Sequence, residues 1–346
     1  MYKRQGYNDN FASYGKAVRI VLADPNVDQV LARPPRGKSA RPWSENLVQA
    51  LQGVDKPVIL QWPTAPDDNG DVVTYLEQNR VPCILGAGRA VHALAVLTDF
   101  ARKRRDFQKH GRRPLKRIVE KQSLDLPARA GTLGEHRAKQ ILARYGIPVV
   151  KEALLRPEEI DALKSPPLAF PVAVKIESAD IPHKTEAGAV KLSVRDLDGL
   201  KQAARDVIAA ARKFKANARI DGVLVQEMAT GTEVIVGAVN DATFGPAVAF
   251  GLGGIFTELI KDVTHRFAPF DTATAREMIN EVKGAALLTG YRGRPALDVA
   301  ALADTLARFS LLAADHADRI AEIDVNPLFV RENGVVAADA LIVLKA

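Results

Sequence analysis

The sequence predicts an α/β protein in two parts: a small parallel-sheet part, then a larger α+β part. Three observations carry this. In the first hundred residues, short apolar runs alternate with helical stretches, the rhythm of parallel strands joined through helices. After a helical stretch Leu197–Phe214 the chain becomes strand-rich, over Gly222–Glu227, Glu233–Val239 and Ala247–Phe250. Between the two parts, residues 106–131 combine charge, Pro114 and Pro127 with little periodicity, as an interdomain linker does.

In the first part, Val27–Ala32, Pro57–Trp62 and Pro82–Leu85 read as strands. Glu45–Leu51, Val72–Gln78 and Ala90–Arg105 read as helices, and Arg33–Pro42 as a Pro-rich loop. A doubly wound domain has about five or six strands, so this part is read as small or cut at its N-terminus. LGAGRAV, Leu85–Val91, follows a strand but lacks the third glycine of a dinucleotide loop, and reads as a turn at the start of a helix.

In the second part, Thr132 is expected to cap a helix Leu133–Tyr145 through a capping box with Glu135. Gly146 and Pro148 end that helix. Strands are expected over Val149–Leu155, Val172–Ile176, Gly188–Val194, Gly222–Glu227, Glu233–Val239, Ala247–Phe250, Ile320–Val330 and Val335–Leu344. A short helix starts at Pro157, and longer ones cover Leu197–Phe214, Ala273–Thr289 and Leu297–Ala314.

Composition narrows the function classes. The 346 residues suit about two domains, and 47% hydrophobic with 26% charged residues is ordinary for a globular chain. The single cysteine, Cys83, rules out an internal disulfide framework and fits a cytoplasmic protein. It reads as a small buried hydrophobe. The N-terminus MYKRQGYNDN has no apolar leader region, and no run of about 18 apolar residues is present to span a membrane. The net charge of +7 is concentrated between Ala101 and Ile118, where nine basic residues face one acid, Asp106. That segment has one aromatic, Phe107, so it offers no stacking platform for nucleic acid and reads as a solvated helix end.

Five stretches carry candidate chemistry. Lys175, in PVAVKIES, lies among apolar residues near a strand end. Either it snorkels to the surface or it meets an anion such as ATP phosphate. The loop Ala179–Leu192 offers His183, Lys184, Thr185, Glu186 and Gly188. An imidazole beside a basic residue can accept a phosphoryl group, and Gly188 permits a tight turn or close backbone approach. In VLVQEMATGTEVIVG, Met228–Thr232 separates two β-rich segments. It is either a plain hairpin or a hinge offering backbone groups to an adenine edge, with Glu227 or Glu233 near the ribose. GLGGIFTELIKD, Gly251–Asp262, places Gly251, Gly253 and Gly254 after an apolar strand, where backbone N–H groups can face phosphate. In EIDVNPLFV, Glu322, Asp324 and Asn326 fall on one face of a strand, with Asp339 on the strand that follows. Their oxygens suit Mg²⁺.

The ordered set VAVKIESADIPHKTEAGAVKL, VLVQEM, GLGGIFTELIKDVTHRFAP and EIDVNPL resembles the NDP-forming acyl-CoA synthetases, the acetate–CoA ligase (ADP-forming) and succinyl-CoA synthetase group. The resemblance implies a partial flavodoxin-like CoA-ligase subdomain at 1–105, a basic linker at 106–131 and an ATP-grasp domain of two subdomains at 132–346. It implies ATP, Mg²⁺ and CoA as cofactors and co-substrate. Lys175, Gly188, Gln226, Glu227, Met228, Glu233, Gly253 and Gly254 would bind the nucleotide. Asp324, Asn326 and Asp339 would hold the metal. His183 would carry phosphate from ATP toward a histidine of the α-type part. Single-chain members of the family have a CoA-binding domain and a phosphohistidine subdomain ahead of this point, and neither His92 nor His110 resembles that second histidine. The expected reaction is carboxylic acid + CoA + ATP giving acyl-CoA + ADP + phosphate, in an oligomer with a CoA-binding α-type chain or domains. The alternative is a nucleotide-binding module or subunit without turnover of its own.

Overall fold

The structure is a computed structural model that describes residues 11–33, 40–62, 70–110, 115–254, 262–291, 293 and 295–345. The chain divides into two compact units, Met1–Arg113 and Pro114–Ala346.

The first unit holds three parallel strands in the order β1 (Val30–Ala32), β2 (Val58–Trp62), β3 (Cys83–Leu85). Helices α2 (Ala40–Ala50), α3 (Gly70–Gln78) and α4 (Ala87–His110) alternate with them, as the apolar rhythm predicts. A further helix, α1 (Phe11–Ala23), precedes β1. Its signal is Tyr14, Val18 and Leu22 at four-residue spacing, and these join Trp43, Leu47, Leu60 and Leu76 in the core. Gly86 links β3 to α4 with φ +83, the left-handed turn that glycine enters without penalty.

The second unit contains two sheets. Four antiparallel strands pair in the order β5 (Glu152–Leu155), β8 (Gly222–Glu227), β6 (Val172–Glu177), β7 (Val190–Val194). Helix α6 (Leu197–Phe214) covers one face of this sheet. The sequence dictates α6 locally. Asp196 accepts the Gly199 N–H at 2.7 Å, Leu200, Ala203, Ala204, Val207 and Ala211 form one apolar stripe, and Arg212 and Lys213 close the last turn.

The larger sheet runs β11 (Val263–Phe267), β10 (Gly245–Leu252), β9 (Thr232–Asp241), β12 (Ile320–Val330), β14 (Leu341–Leu344), β4 (Gly131–Leu133), with β13 (Val335–Ala337) paired to β12. Helices α5 (Glu135–Arg144), α7 (Thr272–Glu281) and α9 (Val299–Asp315) supply the rest of its core. A short helix α8 (Ala286–Thr289) lies between α7 and α9.

Several expectations are corrected. Thr132 is not a cap. It pairs with Val343 in β4, and α5 begins at Glu135 after Gly134 with no side-chain cap. Ala273–Thr289 is two helices, because Gly284 sits against Leu252 where a side chain would collide, and its N–H bonds Asp262 at 3.0 Å. Val335–Leu344 is broken at residues 338–340, so Asp339 stands between strands rather than on one. Val149 makes only a lone bridge to Ala337 before β5 begins. Residues 115–126, read as part of a linker, lie along the second unit. Leu115, Val119, Leu124 and Leu126 pack on its core, and Arg117 pairs with Asp315 at 2.6 Å. Among the described residues, no helix is long and apolar enough to cross a membrane.

Candidate functional site

A cleft of about 720 Å³ opens between the two sheets of the second unit. Strand alternation brings the charge to it. Val172, Val174 and Ile176 of β6 face α6, so Ala173, Lys175 and Glu177 point to the opposite side. Lys175 is 7% exposed, and its Nζ donates to Glu135 Oε1 at 2.9 Å and to Ala338 O at 3.1 Å. Asp339 lies 3.5 Å away. Lys175 therefore spans the two sheets rather than snorkelling.

Glu135 is the centre of a buried charge cluster that the sequence reading misses. Its side chain meets Lys139 at 2.8 Å, Lys175 at 2.9 Å, Lys184 at 2.9 Å and the Gln226 amide at 2.6 Å. Lys139 also pairs with Glu152, which accepts from Gln226 at 3.0 Å and meets His136 Nδ1 at 2.6 Å. Burial alone would raise the Glu135 carboxyl. Lys175, Lys139 and Lys184 together outweigh it and hold the group well below the usual carboxylate range. The signal was present in the sequence. Glu135 and Lys139 share the face of α5 that carries Ala138 and Leu142, so two charges sit in an apolar stripe.

Glu177, at the end of β6, accepts the His136 N–H at 3.1 Å. Burial, then the nearby Glu135 charge, push it up to about 7.

The loop between β6 and β7 turns at Gly188, whose φ is +65 and whose N–H bonds Thr185 O at 3.0 Å. Pro182, His183, Lys184, Thr185 and Glu186 line the cleft, but Gly188 does not. The Met228–Thr232 run is no hairpin, since β8 belongs to the smaller sheet and β9 to the larger. Gln226, Glu227, Met228 and the link to Gly231 line the cleft where the chain crosses between sheets. Glu227 is fixed by accepting the Lys151 N–H at 3.0 Å. Glu233 lines the cleft and also a smaller recess of about 260 Å³, together with Gly253 and Gly254. Gly253 lies so close to Glu233 that a Cβ would sit 2.9 Å from it. The rest of that glycine-led run, residues 255–261, lies outside the described residues.

Asp324, Asn326 and Asp339 line the same cleft. A register shift between Val325 and Leu328 interrupts β12 at this point. Glu322, predicted on the same face, is exposed and outside the cleft lining. Burial first, then Glu322 and Asp339, push Asp324 up to about 6, while His183 acts in the opposite direction. Burial and Glu135 likewise raise Asp339, against the pull of Lys175 and Lys184.

The donor set fits a hard dication bound mainly through phosphate and water. Among the described residues, no group of three or more His, Cys, Asp or Glu is placed to hold a metal by itself. Two crowded carboxylates and an amide oxygen suit Mg²⁺, which keeps several waters. A cation near them would favour the charged form of Asp324, which burial and then the neighbouring carboxylates disfavour.

A family model described as an ATP-grasp domain matches residues 126–344. The chain is 42% identical over 213 residues to the acetate–CoA ligase [ADP-forming] I subunit beta of Pyrococcus furiosus, covering 61% of this chain and 91% of that one. It is 32% identical over 343 residues to the acetate–CoA ligase [ADP-forming] I of Archaeoglobus fulgidus, covering 96% of this chain and 48% of that longer one. Among solved structures it is similar to a dinucleotide-forming acetyl-coenzyme A synthetase 1 of Ca. Korarchaeum cryptofilum, with TM-score 0.53 and 38% identity over 62% of this chain and 93% of that one. That structure contains coenzyme A and Mg-AMPPCP, with a phosphohistidine segment pointing towards the nucleotide-binding site. With the charge cluster, the sheet-crossing link and the carboxylate wall in one cleft, the chain belongs to the ATP-grasp family and, within it, to the ADP-forming acyl-CoA synthetases.

Proposed function

We propose that residues 114–346 bind Mg-ATP in the cleft and pass its terminal phosphoryl group to His183, as one part of an ADP-forming acid–CoA ligase. One observation carries this reading: Lys175, His183, Asp324, Asn326 and Asp339 line a single cleft beside the sheet-crossing link at Gln226–Gly231. Main-chain groups of that link, with Glu227 and Glu233, receive the base and ribose. Gly253 and Gly254 approach the phosphates from the adjoining recess. Asp324, Asn326 and Asp339 would hold Mg²⁺, which when bound would neutralise phosphate charge and polarise the terminal group.

Lys175 changes partners in this scheme. Its ammonium, shared between Glu135 and Asp339, turns to the phosphates, while Lys139 and Lys184 keep Glu135 paired. His183 attacks through a ring nitrogen that carries no proton. A nitrogen–phosphorus bond forms as the bond to the β–γ bridging oxygen breaks, and ADP leaves with that electron pair. Catalysis is mainly positioning and charge neutralisation.

The phosphoryl group then passes to a CoA-binding α-type chain or domain, where a small carboxylic acid and CoA become acyl-CoA and phosphate. The assembly is an oligomer of the cytoplasm. The test mixes the full chain with a candidate CoA-binding α-type chain, acetate, CoA and Mg-ATP, and follows ADP release. Release that needs both chains and the acid supports the ligase. ATP binding without ADP release, across α-type chains active with another β chain, would leave a nucleotide-binding module.

A further inference from the structure

Residues 178–189 hold two neighbours that face different surroundings. His183 is exposed in the cleft, whereas Lys184 is 7% exposed and reaches the charge cluster. The turn around them is tied on both sides. Ala187 N–H bonds His183 O at 3.3 Å, and Ala189 N–H bonds Lys184 O at 2.9 Å. Ile181, Ala187 and Ala189 are sunk in the small core beneath α6.

The other partners of Glu135, the Gln226 amide included, all meet its Oε1. Lys139 and Lys175 already stand 2.8 and 2.9 Å from it. Oε2 is buried, and among the described residues Lys184 is the cation that meets it. What the third pair adds is geometry: it fastens the turn beside His183 to the first residue of α5, 2.9 Å from Nζ to Oε2.

We propose that Lys184 is a positioning residue for phosphoryl transfer: its buried ion pair with Glu135 sets the turn so that the His183 imidazole is presented to the cleft. The inference rests on His183 as the phosphoryl acceptor. The competing role is direct, since Lys184 also lines the cleft and could itself bind phosphate.

The test compares the full-length protein with Lys184→Met and Lys184→Arg. The first readout needs no nucleotide: hydrogen exchange at the amides of Ala187, Gly188 and Ala189. In Lys184→Met these amides should exchange about tenfold faster or more, with β6 and β8 unchanged. With γ-labelled ATP, labelling of His183 should slow by about 100-fold, the scale of a misplaced reacting group, while the Kd for Mg-ATP stays within about threefold. Lys184→Arg keeps the charge and should restore both exchange and labelling to within about threefold of the original. Unchanged loop exchange with normal labelling overturns the proposal. So does a Kd that weakens in step with labelling, which would make Lys184 a phosphate ligand. If the unsubstituted protein takes no label on His183, the acceptor reading fails, and exchange alone still decides whether Lys184 fixes the turn. Should Lys184→Met fail to fold, Lys184→Gln, which keeps a donor for Glu135 without the charge, is read in the same assays.

Discussion

Replacing Glu135 with Gln removes the charge at the centre of the lysine cluster while keeping its shape. Lys139 retains Glu152, and Lys175 retains Asp339 at 3.5 Å. Among the described residues, Lys184 makes no other ion pair within 4 Å and keeps only the longer-range pull of Asp339 and Glu177. One buried charge left uncompensated costs about 3–5 kcal/mol. The weaker partner left to Lys175 places the expected loss in the upper half of that range. Urea unfolding followed by hydrogen exchange at β6 and β8 measures it. Trp43 and Trp62 both lie in the first unit, so their fluorescence supplies an internal reference. The pH dependence has a definite sign. Glu135 is held below its ordinary value of 4.5, so its contribution is present above that value and is lost as pH falls through the depressed one. The difference between the two proteins should therefore shrink in acid below about pH 5, and between about pH 5 and 7 it also carries the change in Glu177, which the Glu135 charge helps to raise. A loss under about 1 kcal/mol would refute the reasoning, because it would make these pairs equivalent to solvated surface ones.

Other perturbations reach separate parts of the site. Lys175→Met should raise the Kd for Mg-ATP by about 10- to 100-fold, the loss of charge-assisted bonds to phosphate, as calorimetry would read. Asp324→Asn should raise the magnesium concentration needed for half-maximal ATP binding by about tenfold or more. Glu177 is raised from 4.5 to about 7, so its contribution is fully present below pH 4.5 and is lost as pH rises through about 7. Glu177→Gln cannot ionise and should lose less stability between about pH 5 and 8, by up to about 3 kcal/mol. Denaturant midpoints across that range provide the check.

How much was legible in the sequence depends on how local the cause is. The bounds of α6 follow from its own residues, Asp196 at one end and the Leu200–Ala211 stripe along it, and the structure reproduces them. Thr132 and Glu135 carry an equally local signal, yet it misleads. Thr132 pairs with Val343, some two hundred residues onward, and Glu135 turns inward to lysines from three other positions. Val343, Lys175 and Lys184 lie beyond a window of a dozen residues, and Lys139, four residues on, reads there as an ordinary helical pair. The Met228–Thr232 run was ambiguous for the same reason, because whether β8 and β9 pair depends on which sheet each one joins. Lys175, His183, Asp324, Asn326 and Asp339 could be selected by residue type and motif order, and they line one cleft. The centre of the lysine–carboxylate cluster was hidden, because Glu135 and Lys139 look like ordinary helical surface charges until their shared face with Ala138 and Leu142 is noticed.

The central claim is that the terminal phosphoryl group of ATP moves to His183. Incubating the full chain with γ-labelled Mg-ATP, quenching under alkaline conditions and mapping the label by peptide tests it most directly. The account predicts an acid-labile label on His183 that is absent from His183→Ala, although that variant still binds ATP. Equal labelling of both proteins would contradict it.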